Sequence, residues 1–76
     1  MKEGRITWDA GTGRPDIKYY DGSHYGGFHC GDAFDVFIRG DWQPTRIEYR
    51  HCTGTWYLIG IEDDEDILGL TVRNYY

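Results

Sequence analysis

Turn-forming residues interrupt this chain at short, fairly regular intervals, and that spacing limits what the chain can fold into. The turn signals lie at residues 9–13, 21–23, 30–32, 40–41 and 51–54, and an acidic run follows them. Short strands separated by such turns are typical of all-β barrels and sandwiches. No window repeats apolar residues with the 3.6-residue period of a helix over three turns. The sequence therefore predicts an all-β protein without helices.

Between the turns, apolar and polar residues alternate with the two-residue period of a strand. The clearest case is AFDVFIR, in which Phe34, Val36 and Ile38 share one face. In DIKYY, the same period directs Asp16 and Lys18 outward. The residues predicted to share the inward faces are Ile6, Trp8, Ile17, Tyr19, Phe34, Val36, Ile38, Ile47, Tyr49, Leu68, Leu70 and Val72.

The predicted strands number six or seven, are antiparallel, and fit one small domain that comprises residues 1–76. The stretch TWYLIGI (residues 55–61) is apolar on both faces, which predicts a central strand covered on both sides. A domain of this size lies near the lower limit for a single core. A small SH3-like β-barrel, closed or half-open, fits best, because closure removes the exposed edges of an open sheet.

Charge and hydropathy limit the cellular location and the binding partners that we expect for this protein. The chain has no apolar run long enough for a signal peptide or a membrane span. We therefore expect a cytoplasmic protein that does not enter a membrane, with Cys30 and Cys52 reduced. The formal net charge of −5 disfavours nonspecific binding to nucleic acid, which depends on cationic side chains that neutralise phosphates. One basic face can still coexist with acidic loops.

Several features that extend over most of the chain go beyond a generic β-pattern. The most distinctive are RIEY (residues 46–49) and WYL (residues 56–58). From about Gly4 to Arg73, the pattern resembles a family of short bacterial proteins, a domain of unknown function found mainly in Gram-positive bacteria and often on mobile elements. The resemblance implies the small β-fold and that cellular setting, and it adds no catalytic residues. The other residues that carry it are Gly31, Asp32, Val36, Gly40, Trp42, Gly69, Leu70, Val72 and Arg73.

An acidic run stands between two isoleucines in the stretch IEDDEDI. Its carboxylates are contiguous and enclose no glycine, so their spacing does not fit a calcium loop. Two interpretations remain open: a solvated hairpin tip anchored by Ile61 and Ile67, or a surface that imitates nucleic-acid phosphates and binds a basic protein. The residues of the run are Glu62, Asp63, Asp64, Glu65 and Asp66.

Two His-Cys doublets, His29-Cys30 and His51-Cys52, supply the residue types of a zinc site. Their spacing differs from that of the usual zinc knuckles, and adjacent residues of a strand point to opposite faces. A zinc site, a disulfide between Cys30 and Cys52, and separate thiols and imidazoles all stay open. We predict no catalytic residues, no metal and no cofactor, because no third group orients a Cys–His pair and the chain is too short to enclose a substrate easily.

Two groups of aromatic residues are candidates for partner contact. The first is the glycine-rich segment of residues 19–32, with Tyr25 and Phe28 beside its glycines; these rings either contact a partner or cap the end of the barrel. The second is formed by Phe37, on the polar phase of its strand, and Trp42, after a turn. These two residues with Arg46 and Arg50 form a predicted aromatic–basic face that suits protein partners and single-stranded nucleic acid.

The function expected from these features is a non-enzymatic protein-interaction module. In its sharper form, it is an inhibitor or regulator encoded on a mobile element that docks its acidic run on a basic nucleic-acid-binding protein. The expected contact residues are the acidic run, Tyr25, Phe28, Phe37 and Trp42. The alternative is a small barrel that binds single-stranded nucleic acid through Phe37, Trp42, Arg46 and Arg50. Tyr75 and Tyr76 either extend the last strand or seal a homodimer.

Overall fold

The computed structural model describes residues 1–61 and 66–74 of the chain. Within these residues the fold is all-β, as predicted, and contains no helix. None of the described residues therefore belongs to a helix that could cross a membrane. The strands are β1 (Lys2–Asp9), β2 (Arg14–Tyr19), β3 (Ala33–Ile38), β4 (Asp41–Arg50), β5 (Thr55–Leu58) and β6 (Thr71–Asn74).

The six strands form one antiparallel sheet in the order β2-β1-β6-β3-β4-β5. Strands β3, β4 and β5 follow one another as a meander. Strand β6 returns between β1 and β3, and so joins the first hairpin to the meander. The two strands at the ends of this order are β2 and β5, and no pairing joins them in the described part of the chain.

The outer side of β2 is occupied by the segment that follows it. The Tyr25 N–H donates to the Ile17 carbonyl at 3.0 Å, and the Phe28 N–H donates to the Pro15 carbonyl at 2.9 Å. Residues 24–28 therefore occupy the outer edge of β2. Within the described residues the sheet is not closed into a barrel, whereas the sequence predicted a barrel that was either closed or half-open.

The core lies on one face of the sheet and follows the predicted alternation closely. Phe34, Val36 and Ile38 are buried together from β3, as the sequence predicts. Phe28, which the sequence presented as a surface candidate, is fully buried. The other buried apolar residues are Ile6, Ile17, Tyr19, Ile47, Leu58, Ile67 and Val72.

Four details of the strand-by-strand interpretation are wrong. Residues 55–61 do not form a central strand, because β5 is the last strand of the sheet and pairs only with β4. Trp8 shares the face of Ile6 but lies beyond the core, and 51% of its surface is exposed; Leu68, also predicted to face inward, is 44% exposed. Asp16, predicted to face outward, is 3% exposed.

Asp16 is buried because it holds the segment that covers β2. Its Oδ1 atom accepts three backbone N–H groups: from Ile17 at 2.8 Å, from Gly26 at 3.0 Å and from Gly27 at 2.9 Å. Gly26 and Gly27 have φ values of 110° and 98°, which residues with a side chain rarely adopt. His24 Nδ1 lies 3.4 Å from the other carboxylate oxygen. One carboxylate thus fixes the sharp bend that brings Phe28 into the core.

We expect Asp16→Ala to lower the free energy of unfolding by about 3–5 kcal/mol, since three backbone donors lose their acceptor, two of them in buried positions. Asp16→Asn retains an oxygen at the Oδ1 position and should cost only about 1 kcal/mol. Denaturant unfolding of both variants beside the wild type measures the difference. Equal stability of the alanine and asparagine variants would contradict the role given to the carboxylate.

Candidate functional site

A groove lies beside β5, at the place where the sheet is not closed. Its cavity volume is about 390 Å³. On one side, Trp8 of β1 and Pro15 of β2 face each other across the hairpin. On the other side lie Trp56 and Tyr57 of β5. Ile67 and Leu68 complete the wall ahead of β6. We call these six residues the seam groove.

The two most exposed apolar side chains of the seam groove stand on well-bonded backbone. The turn after Trp8 is closed by the Gly13 N–H, which donates to the Asp9 carbonyl at 2.8 Å. The Leu68 N–H donates to the Asp66 carboxylate at 3.0 Å, and the next residue, Gly69, donates to the Ile6 carbonyl at 2.8 Å. Backbone hydrogen bonds thus fix the segments next to Trp8 and Leu68, in which these side chains are exposed.

Aromatic rings continue from the seam groove along the end of the meander. The rings of Tyr49 and Trp56 pack with their centroids 5.0 Å apart, and the His51 ring meets Tyr49 at 4.9 Å. Trp56 also lines a second cavity of about 350 Å³, which Cys30 and His51 border. Trp56 therefore lines both cavities.

Charged groups of both signs lie at the rim of the seam groove. The Arg50 guanidinium lies 4.3 Å from the centroid of the Tyr57 ring, in a cation–π contact. Asp66 is exposed and also lines the groove. It is the one member of the acidic run within the described residues; Glu62, Asp63, Asp64 and Glu65 lie outside them. The predicted anchors are found, since Ile67 is buried and Ile61 packs partly buried against the core.

The acidic run accounts for the whole net charge of the protein. It holds five of the thirteen acidic residues, and the eight that remain equal the lysines and arginines in number. Asp66, the last residue of the run, lines the seam groove and places one carboxylate of the run there.

The predicted aromatic–basic face is divided in the structure. Phe37 and Trp42 are cross-strand neighbours with ring centroids 5.2 Å apart, and Phe37 is exposed. The guanidinium over Trp42 belongs to Arg73, at 4.2 Å from the ring centroid. The Arg46 Nε atom lies 3.6 Å from Glu48 Oε2, and the Arg50 guanidinium lies over the Tyr57 ring at the groove. The sequence did not predict that Arg73 contacts Trp42, because this contact depends on the pairing of β6 with β3.

The glycine-rich segment is an internal support more than a contact surface. The Phe28 ring packs against Phe34 with centroids 5.0 Å apart and against Tyr25 at 5.4 Å. Phe28 is thus not available to a partner, which corrects its assignment as a contact residue. Tyr25 is half-buried and packs on the core. Of the two interpretations of this segment, capping of the core describes what these rings do.

The His-Cys doublets do not converge on one point. Cys30 and Cys52 are both exposed and are not joined in a disulfide. His29 Nδ1 lies 4.0 Å from an Asp32 carboxylate oxygen, and His51 packs on Tyr49. In residues 1–61 and 66–74, no three His, Cys, Asp or Glu side chains form a group that could hold a metal ion. The structure therefore supports separate roles for these four residues.

The turn after β2 perturbs one carboxyl group. The Ser23 hydroxyl donates to Asp21 Oδ1 at 2.6 Å, the Ser23 N–H donates to the same atom at 2.9 Å, and Lys2 Nζ lies 3.4 Å from Oδ2. These contacts, with Ser23 first, lower the pKa of Asp21 to about 2. These contacts therefore stabilise the turn fully at pH values above the ordinary pKa of aspartate. The stabilisation is lost as the pH falls towards 2.

An NMR pH titration of the Asp21 carboxyl should accordingly show a midpoint near pH 2. Ser23→Ala removes the hydroxyl donor and should raise this pKa, whereas Lys2→Gln removes a weaker influence and should raise it less. A wild-type midpoint at the ordinary value of about 4 would contradict the hydrogen bonding described here.

Comparisons with known proteins agree with this fold. A family model described as Domain of unknown function (DUF5348) matches residues 4–74. A crystal structure of a protein from Ruminococcus gnavus is similar to the chain with a TM-score of 0.82 and 42% sequence identity, covering 96% of this chain and 100% of the other. A search of curated proteins finds no significant match. The chain belongs to the DUF5348 family, a domain of unknown function, in agreement with the resemblance of its sequence.

Proposed function

We propose that this chain is a non-enzymatic protein-interaction module that binds a positively charged protein through the seam groove. The observation that carries the proposal is the exposure of Trp8 and Leu68 on the walls of a groove that also holds Trp56 and Tyr57. Large apolar side chains that are exposed together in a concave site favour partner binding over solvent contact.

The composition of the groove supports a protein as the ligand. Trp, Tyr and Arg are enriched among the residues that contribute most to protein–protein binding, and Trp8, Trp56, Tyr57 and Arg50 are all present here. Their backbones belong to strands or to the turn next to β5, so little order has to be gained on binding.

The charge distribution supports a basic partner. The acidic run follows β5 and ends at Asp66 in the groove wall, while the rest of the chain is formally neutral. Clustered negative charge steers a positively charged surface toward the adjacent contact site and raises the association rate. Such charge also competes with nucleic-acid phosphates. This supports the sharper proposal that the partner is a nucleic-acid-binding protein which this chain inhibits or regulates, with the gene on a mobile element.

The fold proposal goes with the functional one. Strands β3, β4 and β5 form a meander, and β6, the last strand of the chain, pairs with β1. This arrangement supports a half-open SH3-like barrel. A half-open arrangement leaves β5 beside the seam groove, where it is accessible to a partner.

A second candidate function uses the surface around Phe37 and Trp42 instead of the groove. Phe37 is exposed beside Trp42, and Arg73 stacks on Trp42, as in surfaces that bind single-stranded nucleic acid. Asp35 binds the same guanidinium at 3.1 Å, and Glu48 lies beside Arg46. These carboxylates offset the positive charge that phosphates require, so the seam groove is the stronger candidate.

Affinity capture from a lysate of the organism that encodes the chain tests the proposal. The double variant Trp8→Ser with Leu68→Ser removes the exposed apolar walls, and Phe37→Ser removes a similarly exposed ring that does not line the groove. We expect proteins captured by the wild type to bind the double variant at least about tenfold more weakly, since each contact residue of this kind contributes roughly 1–2 kcal/mol. The Phe37 variant should retain them.

Loss of capture with Phe37→Ser and retention with the double variant would contradict the proposal and favour the second candidate. In that case, single-stranded DNA or RNA should shift on a gel at low salt with the wild type and not with Phe37→Ser. Circular dichroism and thermal melting of all variants exclude unfolding as the cause. Replacement of residues 62–66 by serine and asparagine should also weaken capture and remove most of its salt dependence.

A further inference from the structure

The hydrogen-bonding directions of β4 determine which groups of β5 point away from the sheet. The Ile47 N–H donates to the Asp32 carbonyl at 3.0 Å, and the Ile47 carbonyl accepts from the Gly31 N–H at 2.8 Å. Ile47 therefore directs its backbone away from β5. Its neighbour Arg46 directs its carbonyl toward the β5 side, where it accepts the Ile59 N–H at 3.1 Å. The direction alternates along an antiparallel strand.

The same alternation applies to β5. Tyr57 is the partner of Glu48 and bonds toward β4, in phase with Ile59. Trp56 and Leu58, opposite Tyr49 and Ile47, direct their N–H and C=O groups the other way. The Leu58 carbonyl accepts the Ile61 N–H at 3.2 Å. No strand in the described part of the chain pairs with the Trp56 N–H, the Trp56 carbonyl or the Leu58 N–H.

The Trp56 N–H and carbonyl lie on the side of β5 that borders the seam groove, whereas Leu58 is 2% exposed and its N–H is buried. An unpaired strand edge binds an extended chain by continuing the ladder, with backbone hydrogen bonds for affinity and flanking pockets for side chains. We infer that the seam groove takes an extended, positively charged segment of a partner protein, which adds to β5 as a further strand. The inference rests on the proposed function and specifies how the partner binds.

Two observations specify the charge of the added segment. Asp66 lines the groove at the end of the acidic run, so lysine or arginine side chains on the segment meet opposite charge. The exposed indole of Trp8 and the half-buried indole of Trp56 present faces that attract cations as well as apolar groups. Alternating basic and apolar residues would satisfy both, because successive side chains of a strand point to opposite faces.

A second copy of this chain is a weaker occupant of the same edge. Each copy has a formal net charge of −5, and each carries Asp66 in its groove. Two copies therefore repel one another, and this repulsion costs free energy. A basic segment brings the opposite charge.

Amide hydrogen exchange, measured by NMR with a defined probe, tests the inference. The probe is a capped heptapeptide in which lysine and valine alternate. On saturation, exchange at the Trp56 amide should slow by about tenfold or more, because its N–H gains an acceptor. Exchange at Tyr57 and Ile59 should change little, because β4 already binds them. The matched control is the same peptide N-methylated at every residue, which keeps the charge but cannot form the ladder and should not bind.

The outcomes separate this inference from the proposed function. If the peptide binds, and the Trp8→Ser with Leu68→Ser variant abolishes binding, but the Trp56 amide stays unprotected, strand addition is wrong and the groove binds side chains alone. Equal binding of the N-methylated peptide would also overturn strand addition. Protection of the Trp56 amide that rises with protein concentration in the absence of peptide would assign the edge to a second copy and overturn the inference. Failure of affinity capture alone would instead refute the proposed function.

Discussion

The buried carboxylate of Asp16 makes the two ends of the sheet differ. Its three backbone N–H bonds hold the bend at Gly26 and Gly27, and this bend keeps the following segment on the outer side of β2. Phe28 enters the core from the same segment. Strand β2 is thereby covered by its own connection, and it has no open side left for β5. The groove at β5 follows from this arrangement.

Strand character and core could be predicted well from the sequence, because they depend on local patterns. The alternation of Phe34, Val36 and Ile38 describes β3 correctly, and the turns fall between the strands. The seam groove could not be predicted, because Trp8 and Leu68 obey the alternation and are exposed only through the way distant strands meet. The burial of Asp16 was missed for the same reason, since two of its donors lie ten and eleven residues away.

The functional role proposed for the acidic run depends on the fold as well as on the charge pattern. Taken alone, an acidic run in a small protein is most simply a solvated loop. In this chain its charge equals the entire net charge, and its last residue, Asp66, lines the groove. Asp66 thus places a carboxylate next to apolar contact area, and a combination of the two gives both affinity and fast association. The proposed interaction with a basic partner depends on that adjacency more than on any single residue.

The central claim is that the outer edge of β5 is open in the protein alone. Amide hydrogen exchange of the unbound wild type at low concentration measures this directly. The account predicts that the Trp56 amide exchanges about as fast as exposed amides, while Tyr57 and Ile59, which bond to β4, exchange markedly more slowly. Slow exchange at Trp56 in the unbound monomer would show that this edge is already covered, and would contradict the account.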